Sequence, residues 1–149
     1  MPDIYTTENF TPQTSIGRQL TRTRHLLLEI LAEELSPLDL TAAQWSVVVL
    51  LAEGSANTPA ELSRLLDYDP GAMTRLIDRL AEKGIVERCD SPDDRRSKII
   101  TLTEQGRQLY PSIRPRIIHA HNTLLRGFSA EEAQQLSTLL DKILKNART

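Results

Sequence analysis

The sequence predicts a mainly α-helical fold with one small β-hairpin, and three observations point to it. Residues 70–83 have the spacing of a helix with one apolar face, which consists of Met73, Leu76, Ile77 and Leu80. Residues 58–66 form a shorter helical pattern just before it, so only a tight turn joins the two helices. Two runs of branched residues follow at 85–89 and 98–102, and the polar residues between them predict a β-hairpin. Together these elements predict a helix-turn-helix followed by a wing.

The ends of these two helices carry residues that normally cap helices. Asp69 is a good N-cap for the second helix, and Pro70 suits its first position. Gly84 ends that helix, since glycine readily adopts the backbone found just after a helix. Thr58 and Glu61 have the spacing of a capping box for the shorter helix. The caps therefore predict the same boundaries as the apolar pattern.

Four further helices are predicted around this motif, over residues 14–35, 41–53, 103–127 and 129–147. Capping boxes begin two of them, formed by Thr41 with Gln44 and by Ser129 with Glu132. We predict a single domain over residues 1–149. Its winged helix-turn-helix covers residues 41–102, and its helical dimerisation parts cover residues 1–35 and 103–149.

The first and last helices have more leucine than a small winged domain needs for its own core. Their apolar stripes, with two residues of the N-terminal segment, predict contact with a second copy of the chain. The expected interface residues are Ile4, Phe10, Ile16, Leu20, Leu136, Leu139, Leu140 and Ile143. We expect residues 1–12 to be extended and to pack on another element. A two-fold dimer would present its two second helices to adjacent DNA major grooves, about one turn apart.

Four short motifs stand in a fixed order: Leu40-Thr41-Ala42-Ala43-Gln44-Trp45, Asp69-Pro70-Gly71-Ala72-Met73-Thr74-Arg75, Asp94-Arg95-Arg96 and Leu102-Thr103-Glu104-Gln105-Gly106. They resemble the motifs of the MarR family of bacterial transcriptional regulators. Each motif is weak alone, but their order and spacing are specific, and the resemblance covers nearly the whole chain. It implies a homodimeric regulator, most often a repressor, that binds a pseudo-palindromic operator in double-stranded DNA.

The exposed face of the second helix supplies the expected major-groove contacts. Gly71 and Ala72 allow the helix to approach the groove closely, and Arg75 is the expected guanine contact. Thr74 is expected at a thymine methyl group or at a phosphate. Arg79 lies further along the helix and is expected at a phosphate.

Further DNA contacts are expected from the shorter helix and the wing. Ser63 is expected to donate a hydrogen bond to a phosphate. The resemblance implies that Arg96 enters the minor groove, that Asp94 orients it, and that Arg95 lies on the DNA backbone.

The resemblance also implies a small effector, often an aromatic acid, bound between the dimer helices and the winged part. The residues expected to line this cleft are His25, Trp45, Arg88, Tyr110 and Arg114. Simpler interpretations stay open, with Trp45 in the core, Tyr110 and Arg114 facing solvent, and Arg88 paired with Glu87 or a phosphate. An anionic aromatic is the expected class, because three of the five residues supply positive charge.

The length, composition and charge of the chain limit the classes of protein to which it can belong. The chain has 149 residues, 40% hydrophobic and 26% charged, which fits one globular domain. Its net charge is −2, and residues 58–102 carry eight basic and nine acidic side chains, so DNA binding depends on where the arginines lie. The sequence shows no signal peptide or membrane-spanning run, so we expect a cytoplasmic protein.

Patterns typical of catalysis or metal binding do not occur in the sequence. His25, His119 and His121 lack metal-ligand spacing, and there is no phosphate-binding loop. Cys89 is expected to be a half-buried strand residue, with a redox-sensitive thiol as the alternative. We expect no enzyme activity, no metal and no cofactor. Two other functions stay open: a constitutive architectural DNA-binding protein, and a winged-helix protein-interaction module. The acidic balance slightly favours the module, and Arg75, Arg95 and Arg96 at the expected DNA contact points count against it.

Overall fold

The computed structural model describes residues 1–147, which form a mainly helical fold with one β-hairpin. The helices are α1 (Ile16–Leu35), α2 (Trp45–Ala52), α3 (Pro59–Leu66), α4 (Pro70–Glu82), α5 (Glu104–Leu124) and α6 (Ala130–Asn146). The strands are β1 (Val86–Asp90) and β2 (Lys98–Leu102), which pair antiparallel. Two short 3-10 helices, Pro12–Thr14 and Ser36–Leu38, flank α1. The predicted fold class is confirmed, with α3 and α4 as the helix-turn-helix and the hairpin as the wing.

The second helix of the motif, α4, is capped as its sequence indicates. The Asp69 side chain accepts a hydrogen bond from the Ala72 backbone N–H at 3.1 Å. At the other end, Gly84 has a φ of +74°, a left-handed conformation that glycine adopts without steric cost. The shorter helix α3 begins at Thr58, whose hydroxyl accepts a hydrogen bond from the Glu61 backbone N–H at 3.2 Å. Local sequence therefore determines both helices of the motif.

The core lies beneath α4 and is almost entirely aliphatic. All four apolar residues predicted for the inner face of α4 are buried. The same cluster includes Val47 and Val48 of α2, Leu62 of α3, Ile100 of β2 and Ile113 of α5. Because α4 buries this face against so many elements, its other face is left toward solvent.

The wing pairs Val86 with Leu102 at its base and Asp90 with Lys98 at its outer end. The first strand lies one residue later than the predicted 85–89. The reason is at the outer end, where Asp90 and Lys98 pair through their side chains as well as in the ladder. The second strand has its predicted bounds.

The start of α5 is fastened to the segment that joins α4 to the wing. The Thr103 hydroxyl donates to the Gly84 carbonyl oxygen at 2.6 Å, and its backbone N–H donates to the Ile85 carbonyl oxygen at 3.0 Å. A Cβ on Gly106 would lie only 2.2 Å from that same Ile85 oxygen, so only glycine allows this approach. The Leu102-Thr103-Glu104-Gln105-Gly106 motif thus attaches α4 and the wing to α5.

Helix α2 begins later than predicted. Residues 41–44 form a turn in which Gln44 N–H donates to the Thr41 carbonyl oxygen at 3.1 Å, and the helix starts at Trp45. Half of the predicted capping box is present, because the Gln44 side-chain oxygen accepts a hydrogen bond from Thr41 N–H. The Gln44 oxygen has a second donor, Lys83 of the α4 C-terminus, which local sequence does not reveal.

The N-terminal segment is folded back and is not the extended strand that was expected. The rings of Tyr5 and Phe10 meet edge to face with centroids 5.5 Å apart. The Tyr5 hydroxyl accepts a hydrogen bond from the Ile16 backbone N–H at 3.0 Å, at the start of α1. Asn9 accepts from Thr6 N–H through its side chain and closes the turn. These local bonds replace the extended conformation.

The long helices pack very unequally. α5 continues through Pro111 and Pro115 and packs on α1, where Glu34 Oε1 lies 2.5 Å from His119 Nδ1. None of the residues of α6 is buried.

Over residues 1–147, no helix is both long enough and apolar enough to cross a membrane.

Candidate nucleic-acid interface

The outer face of α4 is exposed in the way the DNA hypothesis requires. Gly71, Thr74, Arg75 and Arg79 are exposed, and Ala72 is half-buried. Within the described chain, neither arginine has an ion-pair partner. Two guanidinium groups are therefore available on a helix face that the core packing turns outward.

Thr74 has its hydroxyl committed within the helix. The hydroxyl donates to the Pro70 carbonyl oxygen at 3.0 Å. A phosphate oxygen accepts hydrogen bonds, so it would have to compete for that same proton. Of the two expected roles, this favours the contact with a thymine methyl group.

The loop of the wing is organised by Asp94. Its carboxylate accepts the Arg96 backbone N–H at 2.9 Å and lies 3.5 Å from the Ser97 hydroxyl, while Arg95 and Arg96 are exposed. Asp94 thus orients Arg96 through the main chain, and the described residues show no side-chain ion pair between them. The Arg96 guanidinium stays available at the wing tip.

The middle of the first strand of the wing is attached to α4 by an ion pair. Arg88 of β1 lies 2.5 Å from the carboxylate of Asp78 on the exposed side of α4. This contact holds the wing beside the face that carries Arg75 and Arg79. Arg88 was predicted to line the effector cleft, and its guanidinium lies instead beside Asp78 on the outer side of α4.

Ser63 does not lie on this surface. Its side chain is buried, with 8% of the residue exposed, and its hydroxyl has no hydrogen-bond partner among residues 1–147. The predicted phosphate contact is therefore not supported. Ser63 is a polar residue next to Leu62, and the local sequence gives no sign that it is buried. Its burial depends on how α3 packs against the other helices.

The structure gathers three of the five residues expected in the effector cleft. Trp45 of α2 and Tyr110 and Arg114 of α5 line a cavity of about 220 Å³. Its remaining walls are Val49, Glu53, Ile113, Ile117 and Ile118. A mostly apolar lining with a few polar side chains is the composition of small-molecule sites, although this cavity is smaller than most of them.

The other two residues of the predicted cleft lie elsewhere. His25 lines a separate depression on α1 together with Arg18 and Arg22. Arg88 lies in the wing. The positive charge expected around the cavity is therefore reduced to Arg114.

Sequence reasoning missed Glu53, which lines the same cavity. Its carboxylate accepts a hydrogen bond from the Tyr110 hydroxyl at 3.1 Å and lies 3.9 Å from Arg114. The sequence feature that could have identified Glu53 is its spacing, because it follows Trp45 by about two helical turns and so lies on the same side of α2. The cavity thus holds one acid and one base, so its charge is balanced.

The apolar residues expected at the dimer interface are all exposed in the single chain. Those on α1 and α6 line one groove of about 1040 Å³: Ile16, Leu20, Leu136, Leu139, Leu140 and Ile143. Ile4 and Phe10 lie outside that groove, since the N-terminal segment folds on itself. Nothing else in residues 1–147 covers the apolar stripe of this groove.

Cys89 lies half-buried in β1, as expected, with its Sγ 3.5 Å from the Thr101 hydroxyl across the hairpin. Within residues 1–147, no cluster of three histidine, cysteine or acidic residues has the arrangement of a metal site.

Comparison with known proteins agrees with this arrangement. The family model described as "MarR family" matches residues 40–98. The multiple antibiotic resistance protein MarR of Escherichia coli strain K12 is 35% identical over 140 residues, which covers 93% of this chain and 97% of that protein. A crystal structure of a mutant of E. coli MarR complexed with operator DNA is 37% identical, with a TM-score of 0.80 over 87% of this chain and 93% of the other. The crystal structure of the transcriptional regulator SlyA is 29% identical, with a TM-score of 0.81 over 90% of this chain and 94% of the other. This chain belongs to the MarR family of transcriptional regulators.

Proposed function

We propose that this protein is a homodimeric repressor that binds a pseudo-palindromic operator and is released by a small ligand. One observation carries the DNA-binding part. The exposed face of α4 and the wing tip present arginines without acidic partners, while the Arg88–Asp78 ion pair holds wing and helix together. Arginine side chains at these two places fit a major groove and the adjacent minor groove.

Each arginine has its own role in this proposal. Arg75 makes a bidentate contact with a guanine, because the guanidinium fork matches the two acceptors of that base. Arg79 and Arg95 contact phosphates, and Arg96 lies in a narrow minor groove. Because the chain carries a net charge of −2, these placed cations supply the attraction that bulk charge does not.

The dimer in this proposal forms through the groove between α1 and α6. A helix with an apolar stripe and no buried residue is stabilised when another surface covers it. A second copy is the occupant that also gives two α4 helices about one DNA turn apart. The mutant E. coli MarR complexed with operator DNA has a similar fold, which supports the DNA-binding part of the proposal.

DNA binding is tested by fluorescence anisotropy on the intergenic DNA upstream of the protein's own gene. We expect the protein to bind one fragment of that region at least 1000-fold more tightly than a scrambled fragment at the same salt concentration, the lower end for specific DNA binding. Equal affinity for both fragments would contradict a sequence-specific regulator and favour the architectural alternative.

The ligand in this proposal is a small aromatic acid that occupies the cavity beside Trp45. Its ring would contact the apolar walls, and its carboxylate would compete with Glu53 for Arg114. The presence of this cavity favours a ligand-responsive regulator over a constitutive one. A ligand that prefers the free protein shifts the population away from the DNA-bound form.

Ligand binding is tested by isothermal titration with salicylate, in the presence and absence of operator DNA. We expect salicylate to bind the DNA-bound protein more weakly than the free protein. If salicylate lowers the affinity for operator DNA, then operator DNA must lower the affinity for salicylate by the same factor. Glu53→Gln should tighten salicylate binding, since it removes the carboxylate that competes for Arg114. Arg114→Met is the matched variant and should weaken it. Unchanged affinity in both variants would remove the cavity from the proposal.

Family members are transcriptional regulators and not enzymes, and we infer the same of this chain. Since its proposed target is chromosomal DNA, we also infer that it acts in the bacterial cytoplasm.

A further inference from the structure

The C-terminal end of α4 is attached to a distant part of the chain by one side chain. The Lys83 ammonium group donates to the Asp39 carbonyl oxygen at 2.6 Å and to the Gln44 side-chain oxygen at 2.9 Å. It also lies 3.9 Å from the Asp39 carboxylate. The bond to Gln44 is part-buried, since the Lys83 side chain is 27% exposed, whereas the Asp39 side chain is 91% exposed and the bond to its carbonyl oxygen lies near solvent. Hydrogen bonds from a charged donor are stronger than neutral ones.

The two acceptors of the Lys83 hydrogen bonds are also held in place by bonds that do not involve Lys83. Asp39 has a left-handed backbone with a φ of 54°, fixed by a hydrogen bond from its N–H to the Ser36 carbonyl oxygen. Gln44 is 3% exposed, and its oxygen also accepts from Thr41 N–H at 3.1 Å. The segment between α1 and α2 therefore presents two fixed oxygens to the end of α4.

The position of this contact matters for the other end of the helix. Arg75 lies eight residues before Lys83, a distance of about 12 Å along a helix axis. If α4 tilted by about 5° about its Lys83 end, the backbone of Arg75 would move by about 1 Å, because it lies about 12 Å from that end. A bidentate contact with a base needs both donors aligned, so a displacement of this size would weaken it.

We propose that Lys83 is a positioning residue for DNA recognition, which fixes the angle of α4 through Asp39 and Gln44. The inference rests on the proposed function, since it assumes that α4 reads DNA. Gln44 directly precedes Trp45, a wall of the cavity, so the Lys83–Gln44 bond lies between the cavity and α4. Arg75 contacts the base, and Lys83 acts only through the orientation of the helix.

The test compares Lys83→Met with two matched variants. Methionine keeps the length of the side chain and removes the ammonium group, Lys83→Arg keeps the charge and the donors, and Lys145→Met removes a lysine from the polar side of α6. Affinity is measured by fluorescence anisotropy on operator and random DNA over a range of salt concentrations. We expect Lys83→Met to weaken operator binding about tenfold and random-DNA binding less than twofold, with an unchanged salt slope. Lys83→Arg should restore most of the preference, and Lys145→Met should leave it intact.

Three results would overturn the proposal. Equal weakening on both DNAs with a salt slope smaller by about one would make Lys83 a phosphate contact. A lowered Tm with unchanged operator affinity would make it a purely structural residue. A wild-type preference for operator that survives fully in Lys83→Met would exclude any positioning role.

Failure of the proposed function gives a separate result, because the wild type itself would then show no preference for operator. Hydrogen exchange on the free protein adds a readout without DNA. Lys83→Met should speed amide exchange both in the last turn of α4 and in residues 41–45. Unchanged exchange at both places would contradict the proposed attachment.

Discussion

Helices α4 and α6 have nearly the same amphipathic pattern but opposite surroundings. α4 buries all four residues of its apolar stripe in the core of its own chain. α6 has Leu136, Leu139, Leu140 and Ile143 at the same helical spacing, and none of its residues is buried. The comparison teaches that periodicity determines which face of a helix is apolar, whereas it does not determine which molecule covers that face.

The difference follows from how the two helices are attached. α4 is held at its C-terminal end by bonds to other elements, through Lys83 and through the Thr103 contact with Gly84. α6 follows Gly127, whose φ of +88° turns the chain away after α5. The apolar stripe of α6 is exposed in the single chain, and in the proposed dimer a second copy covers it. In that proposal the DNA-reading element lies within one chain and the assembly element lies between two.

The largest expected effect is loss of the dimer when the stripe of α6 becomes charged. We expect the double variant Leu139→Asp with Leu140→Asp to have the mass of a monomer by light scattering. Its operator affinity should fall about 100-fold or more, because the two half-sites are then bound independently. Gln134→Asp, on the polar side of α6, should stay dimeric. A double variant that remains dimeric would contradict the assignment of the α6 stripe to the dimer interface.

The next effect concerns the buried stripe of α4. Leu80→Ala should lower the free energy of unfolding by about 2–5 kcal/mol, since it leaves a cavity in a closely packed core. Urea denaturation at a fixed protein concentration measures it, because unfolding of a dimer depends on concentration. Leu139→Ala is the matched change on α6 and should act mainly on the dimer constant. Similar effects of both variants on the monomer would mean that α6 packs within its own chain.

The outer face of α4 sharpens the comparison further. Arg75→Ala should cost about 1–3 kcal/mol on operator DNA and less on random DNA, because a guanine contact is lost only where the guanine occurs. Arg126→Ala makes the same change in net charge away from α4 and should spare the preference. Anisotropy titrations decide it. Equal losses on both DNAs would reassign Arg75 to a phosphate.

The smallest effects are expected at the two N-caps. Asp69→Ala removes the cap of α4, and Ser129→Ala removes one half of the capping box of α6, each at about 1 kcal/mol. Losing the α4 cap should lower both stability and operator affinity. Losing the α6 cap should raise the dimer dissociation constant and leave the monomer nearly unchanged. Thermal unfolding and sedimentation across a concentration series separate these outcomes.

Sequence by itself determined the local features of this protein. Helix periodicity, the caps at Asp69 and Ser129, the glycine stop at Gly84 and the second strand all depend on neighbours within a few residues. The family motifs belong to the same class, since they are short and contiguous. Sequence also identified the exposed arginines of α4, because they lie opposite a clear apolar stripe.

Tertiary structure decided everything that joins residues far apart in the chain. It brought Glu53 to Tyr110 and Arg114, separated His25 from that cavity, buried the Ser63 hydroxyl and turned Arg88 toward Asp78. It also gave Lys83 its partners, which lie 44 and 39 residues away. A polar side chain has many possible partners of similar energy, and only the packing of the aliphatic core selects which one it meets.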